Sequence, residues 1–71
     1  MNKELLEKFI SHMNFRHFEK SNYNNGYLLK DKNNDEMFIY STKKNIVVAE
    51  FNNIKRTFCY NKTFNKWIIV N

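Results

Sequence analysis

The spacing of apolar residues changes once along this 71-residue chain, from a helical period to a strand period. The first apolar set has the spacing of one helix face: Leu5, Leu6, Phe9, Ile10 and Met13. Asn2 is placed to cap the start of this helix, and Asn14 to end it in a left-handed conformation. The pattern therefore predicts one amphipathic helix at the N-terminus.

After the helix, apolar and polar residues alternate in short segments. Five segments are predicted strands: Tyr27–Lys32, Asp35–Thr42, Asn45–Phe51, Lys55–Asn61 and Lys66–Val70. The loops between them are short and rich in Asn and Lys, which predicts antiparallel neighbours in sequential order. Phe15–Lys20 is either a sixth short strand or the coil between helix and sheet, and Asn22–Gly26 is expected to form a loop.

These elements predict a single α+β domain over residues 1–71. In it an N-terminal helix packs on a twisted four- to five-stranded antiparallel meander, with a half-barrel as the alternative form of the sheet. Several strands are apolar on both faces, as in Ile46-Val47-Val48-Ala49, whereas one short helix covers one face only. The second face must then curl into a partial barrel, dimerise, or remain exposed as an aromatic platform.

A chain of this size buries only about 60% of its unfolded surface, so its core is small. Its aromatic content of 17% compensates in part, because each ring buries a large area. Cys59 is the only cysteine and cannot form an internal disulfide. Glu4 and Glu7 interrupt the one candidate leader segment, and no apolar run is long enough to span a membrane. We therefore expect a soluble cytoplasmic protein with no membrane partner.

The charge is divided unevenly between the two halves of the chain. Residues 1–36 hold six basic and six acidic side chains, and residues 37–71 hold six basic side chains against Glu50 alone. The net charge of +5 therefore lies in the second half, among aromatic residues, which is typical of a surface that meets an anion. The Asn- and Lys-rich, proline-free composition of an AT-rich coding sequence is the alternative explanation of the basic excess.

A sequential meander brings every second turn to the same end of the sheet. It thereby gathers four lysines that are scattered in sequence: Lys43, Lys44, Lys62 and Lys66. Asp31, Asp35 and Glu36 are expected at the opposite end. We predict an electrostatic binding patch from the four lysines together with Arg56.

The fourth predicted strand carries alternating basic and aromatic residues on one face. Arg56, Phe58, Tyr60 and Lys62 share that face by parity, so the rings could stack unpaired bases while the cations hold phosphates. The alternative is a half-buried strand whose end residues extend to water. Phe58, Tyr60 and Trp67 are the candidate aromatic anchors.

Motifs for catalysis and metal binding fail on inspection. Asp31-x-Asn33-x-Asp35 resembles the start of a calcium loop but has Glu36 and Thr42 where such a loop needs Gly and Glu. His12, His17 and Cys59 lack the paired spacing of a zinc site. We therefore expect no metal, no cofactor and no enzymatic activity.

Three functions remain after these exclusions. The first is an inhibitor or modulator that docks its basic, aromatic surface onto an acidic surface of a nucleic-acid-processing protein complex. The second is direct binding of single-stranded nucleic acid. The third is a small structural subunit that forms a homodimer. By analogy only, size and composition resemble those of small accessory proteins of phages and mobile elements. The first function is preferred because acidic turns at one end of the sheet would repel a long polyanion.

Overall fold

The computed structural model of the protein describes residues 3–15 and 17–70. Its elements are one helix and six strands: α1 Lys3–Met13, β1 Glu19–Tyr23, β2 Gly26–Lys30, β3 Glu36–Lys43, β4 Ile46–Phe51, β5 Ile54–Asn61 and β6 Lys66–Ile69. All neighbouring strands are antiparallel, and their order in the sheet is β1-β2-β3-β4-β5-β6. The predicted α+β class and the sequential meander are confirmed, with six strands instead of four or five. The sheet is open and does not close into a barrel.

The sixth strand, β1, overlaps the segment Phe15–Lys20, for which a short strand or a coil is expected, only at its last two residues, and it extends into the expected loop. Residues Asn22 and Tyr23 end β1, Asn24 and Asn25 make a turn, and Gly26 begins β2. The sequence predicts Gly26 as a loop residue, but here close packing between β2 and β3 requires it. A Cβ atom at this position would lie 2.0 Å from the carbonyl oxygen of Ile39 on the neighbouring strand.

Asparagine makes the turns of this fold. Seven asparagines of the described residues have φ between 51° and 66°: Asn14, Asn24, Asn34, Asn45, Asn52, Asn53 and Asn65. Asn14 follows the last residue of α1, as the sequence predicted. The Asn2 cap lies outside the described residues.

The core lies between α1 and one face of the sheet. Its buried residues come from the helix and from three adjacent strands: Leu5, Leu6, Phe9, Tyr27, Leu29, Ile39, Val47 and Ala49. Phe9 is 1% exposed, and its ring lies 4.9 Å from that of Phe58 on β5 and 5.1 Å from that of Trp67 on β6. Near its start the helix contacts β1 and β2 through Glu7, and near its end the Nδ1 of His12 accepts a hydrogen bond from Trp67 on β6, so the helix crosses the strands and does not run along one of them.

Candidate interaction surface

The four predicted lysines lie at one end of the sheet, because the strand order is sequential. Lys43 and Lys44 belong to the β3–β4 hairpin, and Lys62 and Lys66 to the β5–β6 hairpin. All four are exposed, and none forms an ion pair with a carboxylate of residues 3–15 or 17–70. We call these four residues the lysine end.

An irregularity in β3 directs one of these lysines to the side of the sheet away from the helix. The register between β3 and β4 shifts between Tyr40 and Lys43, so Tyr40 pairs with Val48 while Lys43 pairs with Ile46. The hydroxyl of Ser41 donates to the Ile46 carbonyl oxygen at 2.8 Å across this shift. The extra residue returns Lys43 to the face that carries Tyr40, Ile46 and Val48.

Arg56 does not join the lysine end. It is exposed in the first half of β5, opposite Ala49, and β5 runs from the far end of the sheet towards the lysines. The far end holds Asp31, Asp35 and Glu36, as expected, but it also holds basic residues. Lys30 pairs with Glu36 at 3.8 Å, and Lys55 with Glu50 at 3.5 Å. Ion pairs therefore neutralise Lys30 and Lys55 outside the lysine end, whereas no ion pair of the described residues involves a lysine of the lysine end.

The Asp31 loop is a hairpin turn. Its carboxylate accepts hydrogen bonds from the backbone N–H groups of Asn33 and Asp35, both at 2.9 Å. Among the described residues, no group of three or more His, Cys, Asp or Glu could hold a metal ion.

The three candidate anchors lie on the helix-covered face and belong to the packing of the domain. Phe58 and Trp67 are half-buried against Phe9. Tyr60 is 6% exposed, donates its hydroxyl to Oδ1 of Asn65, and lies under the Nζ of Lys8, which is 4.0 Å from the ring centroid. This arrangement matches the half-buried alternative for the strand, so Tyr60 has little surface to offer a partner.

The face of the sheet opposite α1 is covered by no element of the described chain. Register places seven large apolar or aromatic side chains and one thiol on it: Tyr23, Leu28, Phe38, Tyr40, Ile46, Val48, Ile68 and the thiol of Cys59. We call this surface the open face. Val48 is only 6% exposed although no helix lies over it, because the neighbouring strands flank it on both sides.

Three rings of the open face form an aromatic cluster. Phe38 lies edge-on to Tyr23 with centroids 5.2 Å apart, and it stacks on Tyr40 at 4.9 Å. A shallow groove of about 460 Å³ runs beside them and is lined by Leu28, Glu36 and Glu50 among others. The rings therefore cover one another in part. Apart from the Cys59 thiol, the other apolar side chains of the face are aliphatic, and polar residues such as Glu50 and Thr57 lie beside them.

Sequence reasoning missed this cluster for an identifiable reason. Phe38 and Tyr40 alternate with the buried Ile39, so parity placed both on one face, but parity does not say which face the helix covers. The predicted loop Asn22–Gly26 includes Tyr23, so the sequence gives Tyr23 no position on either face of the sheet. No pattern within a single strand shows which face the helix covers or that Tyr23 belongs to a strand.

A polar contact fastens the helix to the first hairpin. The Glu7 carboxylate accepts hydrogen bonds from Lys20 Nζ at 2.6 and 2.8 Å and from the Tyr27 hydroxyl at 2.8 Å. The bonds from Lys20 and Tyr27 hold the pKa of Glu7 below its ordinary value. The same bond to Glu7, together with burial, raises the pKa of Tyr27. These contacts join α1 to the face of the sheet that carries Tyr27 and help decide which face it covers.

Comparisons of the chain with protein-family models, with curated proteins and with solved structures gave no significant match. In the part of the chain that the structure describes, no helix is long and apolar enough to cross a membrane.

Proposed function

We propose that this is a non-catalytic binding protein that docks its open face and lysine end onto an acidic surface of a partner protein. The observation that carries the proposal is the open face itself. A monomer of this size rarely leaves a contiguous apolar sheet face to water, and such a face is typical of a protein interface. The partner class is a nucleic-acid-processing complex, since such complexes carry both acidic active-site groups and surfaces shaped for polyanions.

The arrangement of charge supports an acidic partner. Lys43 and Lys66 lie at the margin of the open face, and Lys44 and Lys62 lie in the adjacent turns. Cations beside an apolar surface accelerate association with an acidic partner and set its orientation, while the apolar residues supply most of the affinity. The Lys30–Glu36 and Lys55–Glu50 pairs leave the opposite end close to neutral.

Single-stranded nucleic acid is the second candidate, because exposed rings lie near unpaired lysines on the same face. The side chains of the open face favour protein over nucleic acid. Phe38 and Tyr40 already stack on one another, and Ile46, Val48 and Ile68 have no ring on which a base could stack.

The proposal places the protein in the cytoplasm. Cys59 is a free thiol on β5, half-buried on the open face, where oxidation would alter the docking surface. A reducing compartment keeps that surface intact.

Fluorescence polarisation separates the two candidates. Short single-stranded RNA, single-stranded DNA and duplex DNA are titrated with the protein at low and high salt. The proposal predicts no binding tighter than a weak charge attraction. Tight binding, with log affinity falling by about 0.7 per phosphate contact as log salt concentration rises, would replace the proposal with the second candidate.

A variant of the open face tests the docking surface directly. Tyr40→Lys adds a charge in the middle of this face while it leaves the helix-covered core untouched. Affinity capture from cells of the source organism should lose the partner with Tyr40→Lys, although the variant keeps the wild-type circular dichroism spectrum. Capture of the same partner by a folded Tyr40→Lys protein would contradict the use of the open face.

A further inference from the structure

The two edges of the sheet differ in how they are protected. At one edge, all five residues of β1 (Glu19, Lys20, Ser21, Asn22 and Tyr23) are exposed, and four of them are polar or charged. At the other edge, Ile68 is 39% exposed, Ile69 is 62% exposed and Val70 is 56% exposed. Natural sheets normally protect an edge with charges, proline or a bulge. Apart from Lys66 at its start, β6 has none of these, and its register with β5 is continuous.

The hydrogen bonds of β6 show which of its backbone groups are free. Val70 N donates to the Thr57 carbonyl oxygen at 2.9 Å, towards β5. Because inward and outward pairs alternate along an antiparallel ladder, Ile68 and Lys66 also direct their backbone groups towards β5. The N–H and C=O groups of Trp67 and Ile69 therefore point away from the sheet.

We propose that β6 pairs in antiparallel orientation with β6 of a second copy of this chain, joining the two six-stranded sheets into one. In the register that uses the free groups, Trp67 of each copy lies opposite Ile69 of the other, and Ile68 lies opposite itself. Two Trp67–Ile69 pairs form four new backbone hydrogen bonds. The pairing covers the apolar edge and makes the two open faces continuous.

Charge favours this antiparallel arrangement with a second copy. The twofold axis directs the two lysine ends to opposite poles of the dimer, whereas parallel pairing would bring them together. The two Lys66 residues are four positions apart along the ladder, which is about 14 Å and beyond the Debye length at physiological salt. Pairing of β6 with β1 would instead build an open filament, which the polar residues of β1 oppose.

The size of the contact sets the expected affinity. A ladder of four backbone hydrogen bonds is at the small end of protein interfaces, so the dimer dissociates in the micromolar range or above. The proposal goes beyond the docking function and does not depend on it, since it concerns the edge of the sheet and not the open face.

Mass measurement in solution tests the pairing. Sedimentation equilibrium from about 10 µM to about 1 mM should show the mass rise from 8.7 kDa towards twice that value. Ile69→Pro removes an outward donor without breaking the β5 ladder, and Ile69→Lys adds a protective charge. Both variants should remain monomeric over the whole range.

Two controls identify the surface. Ser21→Lys places the same charge at the β1 edge and should dimerise like the wild type. Tyr40→Lys, on the open face, should also dimerise. A wild-type protein that is monomeric at about 1 mM overturns the proposal. A dimer that persists in both Ile69 variants also overturns it. Loss of the dimer in Tyr40→Lys alone overturns it as well, and would assign the dimer contact to the open face.

Discussion

At the scale of single residues, asparagine replaces glycine throughout this protein. The chain has one glycine and no proline, yet it makes five tight connections between strands. Asparagine enters the left-handed region at lower cost than other residues with a side chain, because its amide bonds locally to the backbone. The Asn52-Asn53 turn has φ of 51° and 64° at its two positions, which is the signature of a type I′ hairpin turn. The single glycine, Gly26, is required by the close approach of β2 to β3.

Asn53 tests this role of asparagine. Asn53→Ala should lower the free energy of unfolding by about 1 kcal/mol, because alanine has no local hydrogen bond to offset the left-handed conformation. Asn53→Gly should stay within about 0.5 kcal/mol of the wild type, since Asn-Gly suits this turn. Urea denaturation followed by Trp67 fluorescence measures both. Equal losses for the two variants would contradict the turn assignment.

Gly26 tests the close approach of β2 to β3. Gly26→Ala should lower the free energy of unfolding by about 1–3 kcal/mol, because the new methyl group would meet the Ile39 carbonyl oxygen and force the strands apart. Ser21→Ala, on the exposed neighbouring strand, is the control and should change stability by less than about 0.5 kcal/mol. A Gly26→Ala protein as stable as the wild type would show that the two strands can separate at no cost.

At the scale of elements, the helix period and the strand period predicted α1 and five strands to within a few residues. The sequence leaves a short strand or a coil open for Phe15–Lys20 and does not place β1 at Glu19–Tyr23. Four of the five β1 residues are polar or charged and exposed, without the apolar alternation that marks a half-buried strand. The sequence also could not predict which face α1 covers. Glu7, Lys20 and Tyr27 help decide that, and they come from three elements that the chain brings together only on folding.

The pH dependence of stability tests the Glu7 contact. Its folded-state pKa is below the ordinary value of 4.5, so its stabilising effect is present above that pH and is lost as the pH falls through the folded-state pKa. Glu7→Gln should therefore lower the free energy of unfolding at pH 7, and the difference from the wild type should shrink at pH 3. Glu4→Gln, on the same helix, is the control. A difference that is constant between pH 3 and pH 7 would contradict the assignment.

At the scale of the whole molecule, the meander distributes charge unevenly between the two ends of the sheet. Lysines from two hairpins meet at one end, while ion pairs neutralise much of the other end. Sequential topology follows from short loops, so the lysine end could be predicted from the sequence. The open face could not, because exposure there depends on which side the single helix packs.

The central claim is that the lysine end and the open face together bind an acidic protein surface, and quantitative affinity capture tests it most directly. Simultaneous reversal of Lys43, Lys44, Lys62 and Lys66 to Glu should abolish capture of the partner while the domain stays folded. A matched pair of double variants separates position from net charge. Lys44→Glu with Lys62→Glu should weaken capture strongly, and Lys32→Glu with Arg56→Glu, the same change in charge at the other end, should not. A folded quadruple variant that captures its partner as well as the wild type would contradict the account.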